Sequence, residues 1–121
     1  MGEKYKNEIV DRYRKRISRS GPTFESLASG SKKHQEIRFN ILKNVGILSG
    51  KKILDIGCGI GDFYKFLESY GVKVEYTGVD IVPEFIEECN RRFQKPFFEV
   101  RDILEKPFAS KSFDIVVCSQ V

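Results

Sequence analysis

The sequence predicts an α/β fold, a doubly wound parallel sheet preceded by helices. Three observations predict it. From Lys52 onward, short apolar runs alternate with amphipathic segments as strand, helix, strand, helix, strand, the order that builds a parallel sheet. Between the first strand and the first helix of that series stand three glycines at alternate positions, Gly57, Gly59 and Gly61, a composition suited to a tight strand-to-helix turn. Before them, two segments carry a helical rather than a strand period.

Composition bounds the function classes. At 121 residues the chain suits one compact domain and is too short for two. Hydrophobic residues at 40% and charged residues at 31% are the mixture of a soluble globular protein. No run of 18 apolar residues offers a membrane span. Glu3, Lys4 and Lys6 open the chain without an apolar run behind them, so no secretory signal is expected. Cys58, Cys89 and Cys118 are odd in number and widely spaced, and His34 is the sole histidine. Neither a disulfide framework nor a metal site is expected, and a reducing, cytoplasmic location is. Residues 1–52 carry 13 Lys/Arg and 5 Asp/Glu, a balance of +8, whereas residues 53–121 carry 8 and 12, a balance of −4. The basic half admits an anionic partner or nucleic acid. No aromatic–basic interleaving accompanies it, so a solvated helical face is favoured about two to one.

The elements follow in order. Residues 3–18 place Tyr5, Ile9, Tyr13 and Ile17 at i, i+4 spacing, a narrow apolar stripe on a polar helix. Ser20-Gly21-Pro22 breaks it, and residues 23–31 read as a loop or short turn. A second helix is expected from about Lys32 to Asn44, with Ile37, Ile41 and Leu42 toward the core and Gly46 at its C-cap. Lys52–Ile56 is a short buried strand, Asp62–Tyr70 a helix closed by Gly71, and Val74–Val79 a strand. Pro83–Arg92 is a helix opening on a proline, whose missing N–H matters little there. Phe97–Val100 and Phe113–Cys118 are strands. Residues 102–112 are short for a crossover helix and are expected to hold a turn or a brief 3₁₀ segment. Residues 1–50 thus form a basic helical segment and residues 51–121 the α/β core.

The informative stretch is Ile53–Asp62, ILDIGCGIGD. A strand ends at Ile56, three glycines follow, and a helix begins. Glycine permits positive φ and lets a ligand lie against the backbone. The helix start presents free N–H groups to a polar or anionic ligand. A dinucleotide fingerprint would be GxGxxG, with the third glycine at position 62. Position 62 is Asp, and the glycine falls at Gly61 instead. Asp55, two residues before the first glycine, is a poor neighbour for a pyrophosphate and suits a ligand carrying an ammonium group.

Asp55-Ile56-Gly57-Cys58-Gly59-Ile60-Gly61 resembles the first motif of class I S-adenosylmethionine-dependent methyltransferases. The resemblance implies a Rossmann-like three-layer fold with strand order 3-2-1-4. It implies S-adenosyl-L-methionine as cofactor and S-adenosyl-L-homocysteine as product, with the loop of Gly57, Cys58, Gly59 and Gly61 around the methionine end. Asp55 is then implied to support that loop and the amino-acid end. Asp80 in YTGVDI, 25 positions after Asp55, matches the acidic residue that accepts from both ribose hydroxyls, and Ile81 the residue on the adenine face. Asp80 would serve a nicotinamide cofactor equally well. Asp102 in FEVRDIL matches the acceptor for the adenine amino group, with the Ile103 N–H on a ring nitrogen. A turn cap is the alternative for Asp102, disfavoured about four to one.

Phe113-Asp114 opening an apolar strand matches the fourth strand of the family, and Cys118, Ser119 and Gln120 fall where the methyl-transfer site is lined. Ser119 and Gln120 are assigned to that lining. Cys118 has small-hydrophobe packing as its alternative. Cys58 is a common filler of this loop, and Cys89 a packing residue. Arg38 is a candidate partner of the cofactor carboxylate, with a surface ion pair equally expected. Tyr13 and Phe24 are candidate lid aromatics, with core packing the stronger expectation. No residue stands out as a catalytic base. The methyl acceptor is unknown, and the direct transfer that the resemblance implies calls for no metal.

The resemblance covers residues 51–121 and stops at the fourth strand, so a truncated domain is expected, able to bind cofactor without turnover. Two other classes stand beside it: a non-catalytic cofactor-binding or interaction module, and a nicotinamide-dependent oxidoreductase. The order 3-2-1-4 would leave Ile115-Val116-Val117 on an apolar edge. Self-association through it is expected, or its covering by the N-terminal helices.

Overall fold

The structure, a computed structural model, describes residues 2–27 and 31–120. Helix α1 spans Glu3–Ser20. It stops at Gly21, whose backbone has φ +70 and whose N–H donates to the Ile17 carbonyl at 2.7 Å. A 3₁₀ turn follows at Phe24–Leu27, and residues 28–30 of the expected loop lie outside the described residues. Helix α2 spans Lys32–Asn44 and is capped by Ser31, whose hydroxyl accepts from the His34 N–H at 3.2 Å.

The core alternates as read: β1 (Lys52–Ile56), α3 (Asp62–Ser69), β2 (Glu75–Asp80), α4 (Pro83–Arg92), β3 (Phe97–Val100) and β4 (Ile115–Val117). β2 begins and ends one residue later than expected, and β4 is shorter at both ends. Residues 101–114 form turns without a crossover helix.

The four strands form one parallel sheet in the order β3-β2-β1-β4. Ile53 stands opposite Tyr76 and Ile115, and Asp55 opposite Gly78 and Val117. Side chains alternate between faces with period two. Ile53, Tyr76, Phe98, Ile115 and Val117 therefore share a face, and they meet Phe39 of α2, Phe63 and Leu67 of α3, and Ile86 and Cys89 of α4 in the main core. Both right-handed crossovers, β1-α3-β2 and β2-α4-β3, fall on this face. Leu54, Ile56 and Val116 point the other way. There Ile103, Pro107, Phe108 and Phe113 of the β3–β4 connection lie over them around a groove of about 300 Å³.

A second cluster seats α1. Val10, Leu27, Ile60, Val82 and Phe85 are buried together, with Tyr13, Ile17, Phe24 and Ile81 packed against them. Tyr13 meets Phe85 edge-on at 5.3 Å between ring centres. Tyr13 and Phe24 thus pack as core residues, the stronger of the two expectations. Two ion pairs flank this contact, Lys6–Glu105 at 3.2 Å and Arg14–Glu84 at 2.9 Å.

Three expectations are corrected. On α2, Ile37 and Ile41 point outward, 48% and 61% exposed, while Gln35 and Phe39 are buried. The helix is rotated because the Phe39 ring seats against Phe63 and Phe66, at 5.2 and 5.4 Å between ring centres. Aromatic rings paired edge-on or tilted at such distances gain beyond their area burial. Leu42 remains at the core. The C-cap of α2 is Val45 in right-handed geometry, not Gly46. Cys118 is exposed rather than packed inside, because β4 ends before it, whereas Cys58 and Cys89 are buried.

Leu67 is wholly buried in the main core, so Leu67→Ala is expected to lower unfolding stability by about 2–5 kcal/mol. Arg14→Ala removes a partly exposed ion pair and is expected to cost about 1 kcal/mol or less. Urea titration of both variants checks the ranking. A larger loss in Arg14→Ala would mean that α1 is held by charge rather than by its apolar seat.

Candidate functional site

The carboxyl ends of β1, β2 and β4 converge on the turn Gly57–Gly61. All three of its glycines have left-handed backbone, with φ of +69, +59 and +85. The turn is strapped to β2. The N–H groups of Gly57 and Cys58 both donate to the Val79 carbonyl, at 2.8 and 3.0 Å. The Gly59 N–H donates to Asp80 Oδ2 at 3.0 Å, and the Val82 N–H to Asp80 Oδ1 at 3.0 Å. Asp80 is thus the peg that holds the glycine turn to the end of β2. Burial pushes its carboxyl above the usual carboxylate range, against the pull of these backbone donors. Its oxygens accept these backbone N–H groups, and a carboxylate oxygen has two acceptor positions.

Glycine is required at two positions of the turn for space as well as for φ. A Cβ on Gly61 would stand 2.9 Å from Phe93, and one on Gly59 would stand 2.7 Å from Leu27. Leu27, in the 3₁₀ turn after α1, therefore rests on the loop itself. Tyr13 of α1 stands close enough to Asp80 for the Asp80 charge to raise its hydroxyl pKa, after burial as the larger cause. The N-terminal segment accordingly lies over the strand ends.

Asp55 is fully buried on β1. Its Oδ1 accepts from the Ser119 N–H at 3.1 Å, and its Oδ2 from the Ser119 hydroxyl at 2.6 Å and the Tyr76 hydroxyl at 2.5 Å. Burial raises its pKa to about 6, against these three hydrogen bonds. Ser119 is itself fully buried, just past β4. The side chain of Cys58 points into the main core, so its contribution to the surface of the turn is its backbone.

Asp102 stands two residues past β3, 8% exposed. Its Oδ1 caps the following turn by accepting from the Leu104 N–H at 3.0 Å. Its Oδ2 is buried without a hydrogen-bond partner among the described residues. The cap therefore occupies one oxygen and leaves the other without a partner among the described residues. Ile81 packs partly against the α1 cluster, and Ile103 lines the groove on the far face of the sheet.

A polar chain that sequence reading missed ties these elements together. Arg92 at the end of α4 donates to the Ile60 carbonyl at 2.7 Å and to Asp62 Oδ1 at 2.9 Å. Gln35 Nε2 of α2 donates to Asp62 Oδ2 at 3.2 Å and to Gln120 Oε1 at 3.4 Å. Gln35 is four residues before Phe39, so it shares the buried face. That spacing, read with the aromatic anchor, was the available signal. Arg38, on the same helix, is partly exposed.

A cavity of about 560 Å³ lies at the other end of the sheet, lined by Tyr64, Lys73, Glu75, Tyr76, Lys95 and Phe97 among others. None of the candidate site residues lines it, and ligands of open α/β sheets bind outside the carboxyl ends of the strands. The turn at Gly57–Gly61 is therefore the better candidate.

The Asp55 carboxyl has a folded pKa of about 6 against an ordinary 3.8. The folded chain holds this proton more tightly than the unfolded one. Its contribution to stability is full below about pH 4 and is lost as pH rises through about 6. Asp55→Asn is expected to flatten that fall, by about 3 kcal/mol at most between pH 4 and 7 at about 1.4 kcal/mol per unit. Denaturant titrations at stepped pH check it. Parallel curves for the two proteins would show that Asp55 carries its charge in both states alike.

Comparison with known proteins follows the same outline. The chain is 42% identical over 72 residues to a phthiotriol/phenolphthiotriol dimycocerosates methyltransferase of Mycobacterium leprae, across 58% of this chain and 27% of that protein. It is 30% identical over 117 residues to a demethylmenaquinone methyltransferase of Staphylococcus aureus, across 93% of this chain and 48% of that protein. Among solved structures, the phosphoethanolamine N-methyltransferase 1 of Haemonchus contortus, held with phosphoethanolamine and S-adenosylhomocysteine, superposes with a TM-score of 0.70 at 23% identity. It covers 96% of this chain and 26% of that one. The PH0226 protein of Pyrococcus horikoshii superposes with a TM-score of 0.57 at 29% identity, across 74% and 44%. The chain thus spans from about a quarter to about half the length of these relatives. The methyltransferase domain family matches residues 53–121, more than half of the chain, and the chain belongs to that family.

Proposed function

We propose that this chain is the cofactor-binding part of an S-adenosylmethionine-dependent methyltransferase. The observation that carries it is the glycine turn pegged to Asp80, with a second buried acceptor, Asp102 Oδ2, left open beyond β3. The two acceptors suit the two hydrogen-bonding ends of an adenosine. The second acceptor positions on the Asp80 oxygens suit ribose hydroxyls, and Asp102 Oδ2 suits the adenine amino group. The glycines, lacking side chains, let the amino-acid end lie close against the backbone of the turn. When bound, S-adenosylmethionine supplies a methyl group already activated on a sulfonium. The chain's own residues then have only to orient it and exclude water. Leu27 over Gly59 and Tyr13 beside Asp80 are positioned for the second task.

The relatives differ in acceptor. Three of those named above act, by their names, on phthiotriol/phenolphthiotriol dimycocerosates, a demethylmenaquinone and phosphoethanolamine. What they share with this chain is the cofactor-binding part, so we infer that acceptor choice belongs to other residues. The free thiols of Cys58, Cys89 and Cys118 support a reducing compartment, the cytoplasm. The described residues include no helix long and apolar enough to cross a membrane.

The fourth strand supports a proposal about assembly. β4 is the edge strand, and Val116 is 57% exposed on it. We propose that two copies associate through it, since an apolar edge offers unpaired backbone groups to another chain. Sedimentation is expected to show a concentration-dependent dimer that Val116→Lys abolishes. A wild-type chain that stays monomeric throughout sinks this proposal.

Calorimetric titration tests the cofactor reading. S-adenosylhomocysteine is expected to bind and NAD not to, and Asp80→Ala is expected to weaken S-adenosylhomocysteine at least about tenfold through the lost ribose acceptor and the loosened turn. Binding of NAD alone would overturn the reading in favour of an oxidoreductase.

A further inference from the structure

We infer that Asp55 serves the site as a positioning residue for the segment after β4, through Ser119, and not as a direct contact of the cofactor's amino-acid end. The inference rests on the cofactor reading above and deepens it.

The geometry of Asp55 points away from a ligand. The carboxylate is wholly buried and stands in the middle of the sheet, opposite Gly78 on one side and Val117 on the other. Three protein donors already meet it. Two of them come from one residue, Ser119, by backbone N–H at 3.1 Å and by hydroxyl at 2.6 Å. Such a two-point grip fixes both the position and the orientation of the chain where it leaves β4. The third donor, the Tyr76 hydroxyl at 2.5 Å, ties the same carboxylate to β2. Tyr76 is buried, with its ring against Tyr64 and Phe98. Asp55 is therefore held from β2 and itself holds the segment past β4.

That segment matters because of its next residue. Gln120 Cγ stands 3.5 Å from where a Cβ on Gly59 would be, and its Oε1 accepts from Gln35 of α2. The Asp55–Ser119 grip thus sets how closely Gln120 approaches the glycine turn. β4 itself is only three residues long and pairs with β1 along one edge. A strand so short fixes the chain beyond it weakly. The buried side-chain grip supplies the missing constraint.

Binding of two ligands separates positioning from direct contact. S-adenosylhomocysteine carries the amino-acid end, and 5′-methylthioadenosine lacks it. Asp55→Asn and Ser119→Ala are each expected to weaken both ligands by the same factor, about tenfold. The double variant is expected to be no weaker than either single one, as for two residues acting as one unit. Leu67→Ala serves as the control, being destabilised without touching the site, and is expected to bind both ligands as the wild type does. A loss confined to S-adenosylhomocysteine in Asp55→Asn, with Ser119→Ala unaffected, would overturn the inference and make Asp55 a direct contact.

A second readout needs no ligand. Amide hydrogen exchange at Ser119 and Gln120 is expected to speed up at least about tenfold in Asp55→Asn and in Ser119→Ala, but not in Leu67→Ala under native conditions. Unchanged exchange in both site variants would refute the grip, even if the wild type bound neither ligand and the cofactor reading had failed on its own.

Discussion

The structure depends first on a backbone constraint, the run of left-handed residues Gly57, Gly59 and Gly61 between β1 and α3. Side chains other than glycine rarely adopt such φ values, and here a Cβ would also collide with Leu27 or Phe93 at two of the three positions. The turn reverses the chain within five residues. It does so while giving two N–H groups to the Val79 carbonyl and one to Asp80. Those bonds fix the direction in which α3 leaves. The direction of α3 in turn decides that Phe63 and Leu67, one turn apart, fall on the main core. The same residues therefore shape the candidate site and direct α3 onto the main core.

Around that turn the protein uses carboxylates, Asp55 buried and Asp62 partly buried, as ties between elements distant in sequence. Asp55 joins β1 to β2 and to the segment after β4, and Asp62 joins α3 to α2 and α4. A buried carboxylate without partners would cost several kcal/mol, so these groups are retained only where donors converge on them. Their energetic return is modest and their geometric return large. They convert a sheet held mainly by non-directional apolar contact into one with defined positions at its carboxyl ends. The opposite end of the sheet, around Lys73 and Lys95, holds a cavity.

The elements of the fold were largely legible because each is written in local terms. Alternating apolar runs mark the strands, Pro83 marks the start of α4, and the glycines mark the turn. The rotation of α2 was not legible. Ile37, Ile41 and Leu42 and the alternative set of Gln35, Phe39 and Leu42 both describe a helical face, and the choice was made by Phe63 and Phe66. Propensity and spacing carry no term for that tertiary contact. The site divides in the same manner. Asp80 and Asp102 were singled out because they stand at strand ends where the family resemblance places acidic residues, whereas the partners of Asp55 and Asp62 lie 64 and 30 residues away. The double role of Asp102, capping with one oxygen and open at the other, needed coordinates, since sequence presents the two roles as rivals.

The unequal charge of the two halves acquires a structural meaning from the same coordinates. Read alone, the +8 balance of residues 1–52 admits an external anionic partner. In the folded chain, part of that charge faces the acidic half. Lys6 reaches Glu105 after β3, and Arg14 reaches Glu84 at the start of α4. Each pair is partly exposed and contributes little to stability. Together they lie on either side of the buried Val10, which with Tyr13 seats α1 on Ile60, Val82 and Phe85, whereas Tyr5 of the expected stripe is exposed. An apolar stripe alone would tolerate sliding of α1 along its groove, because such contact is non-directional. Two charge pairs spaced along the helix oppose sliding in either direction. They stand on the helix that carries Tyr13 beside Asp80, so part of the charge asymmetry is matched within the chain.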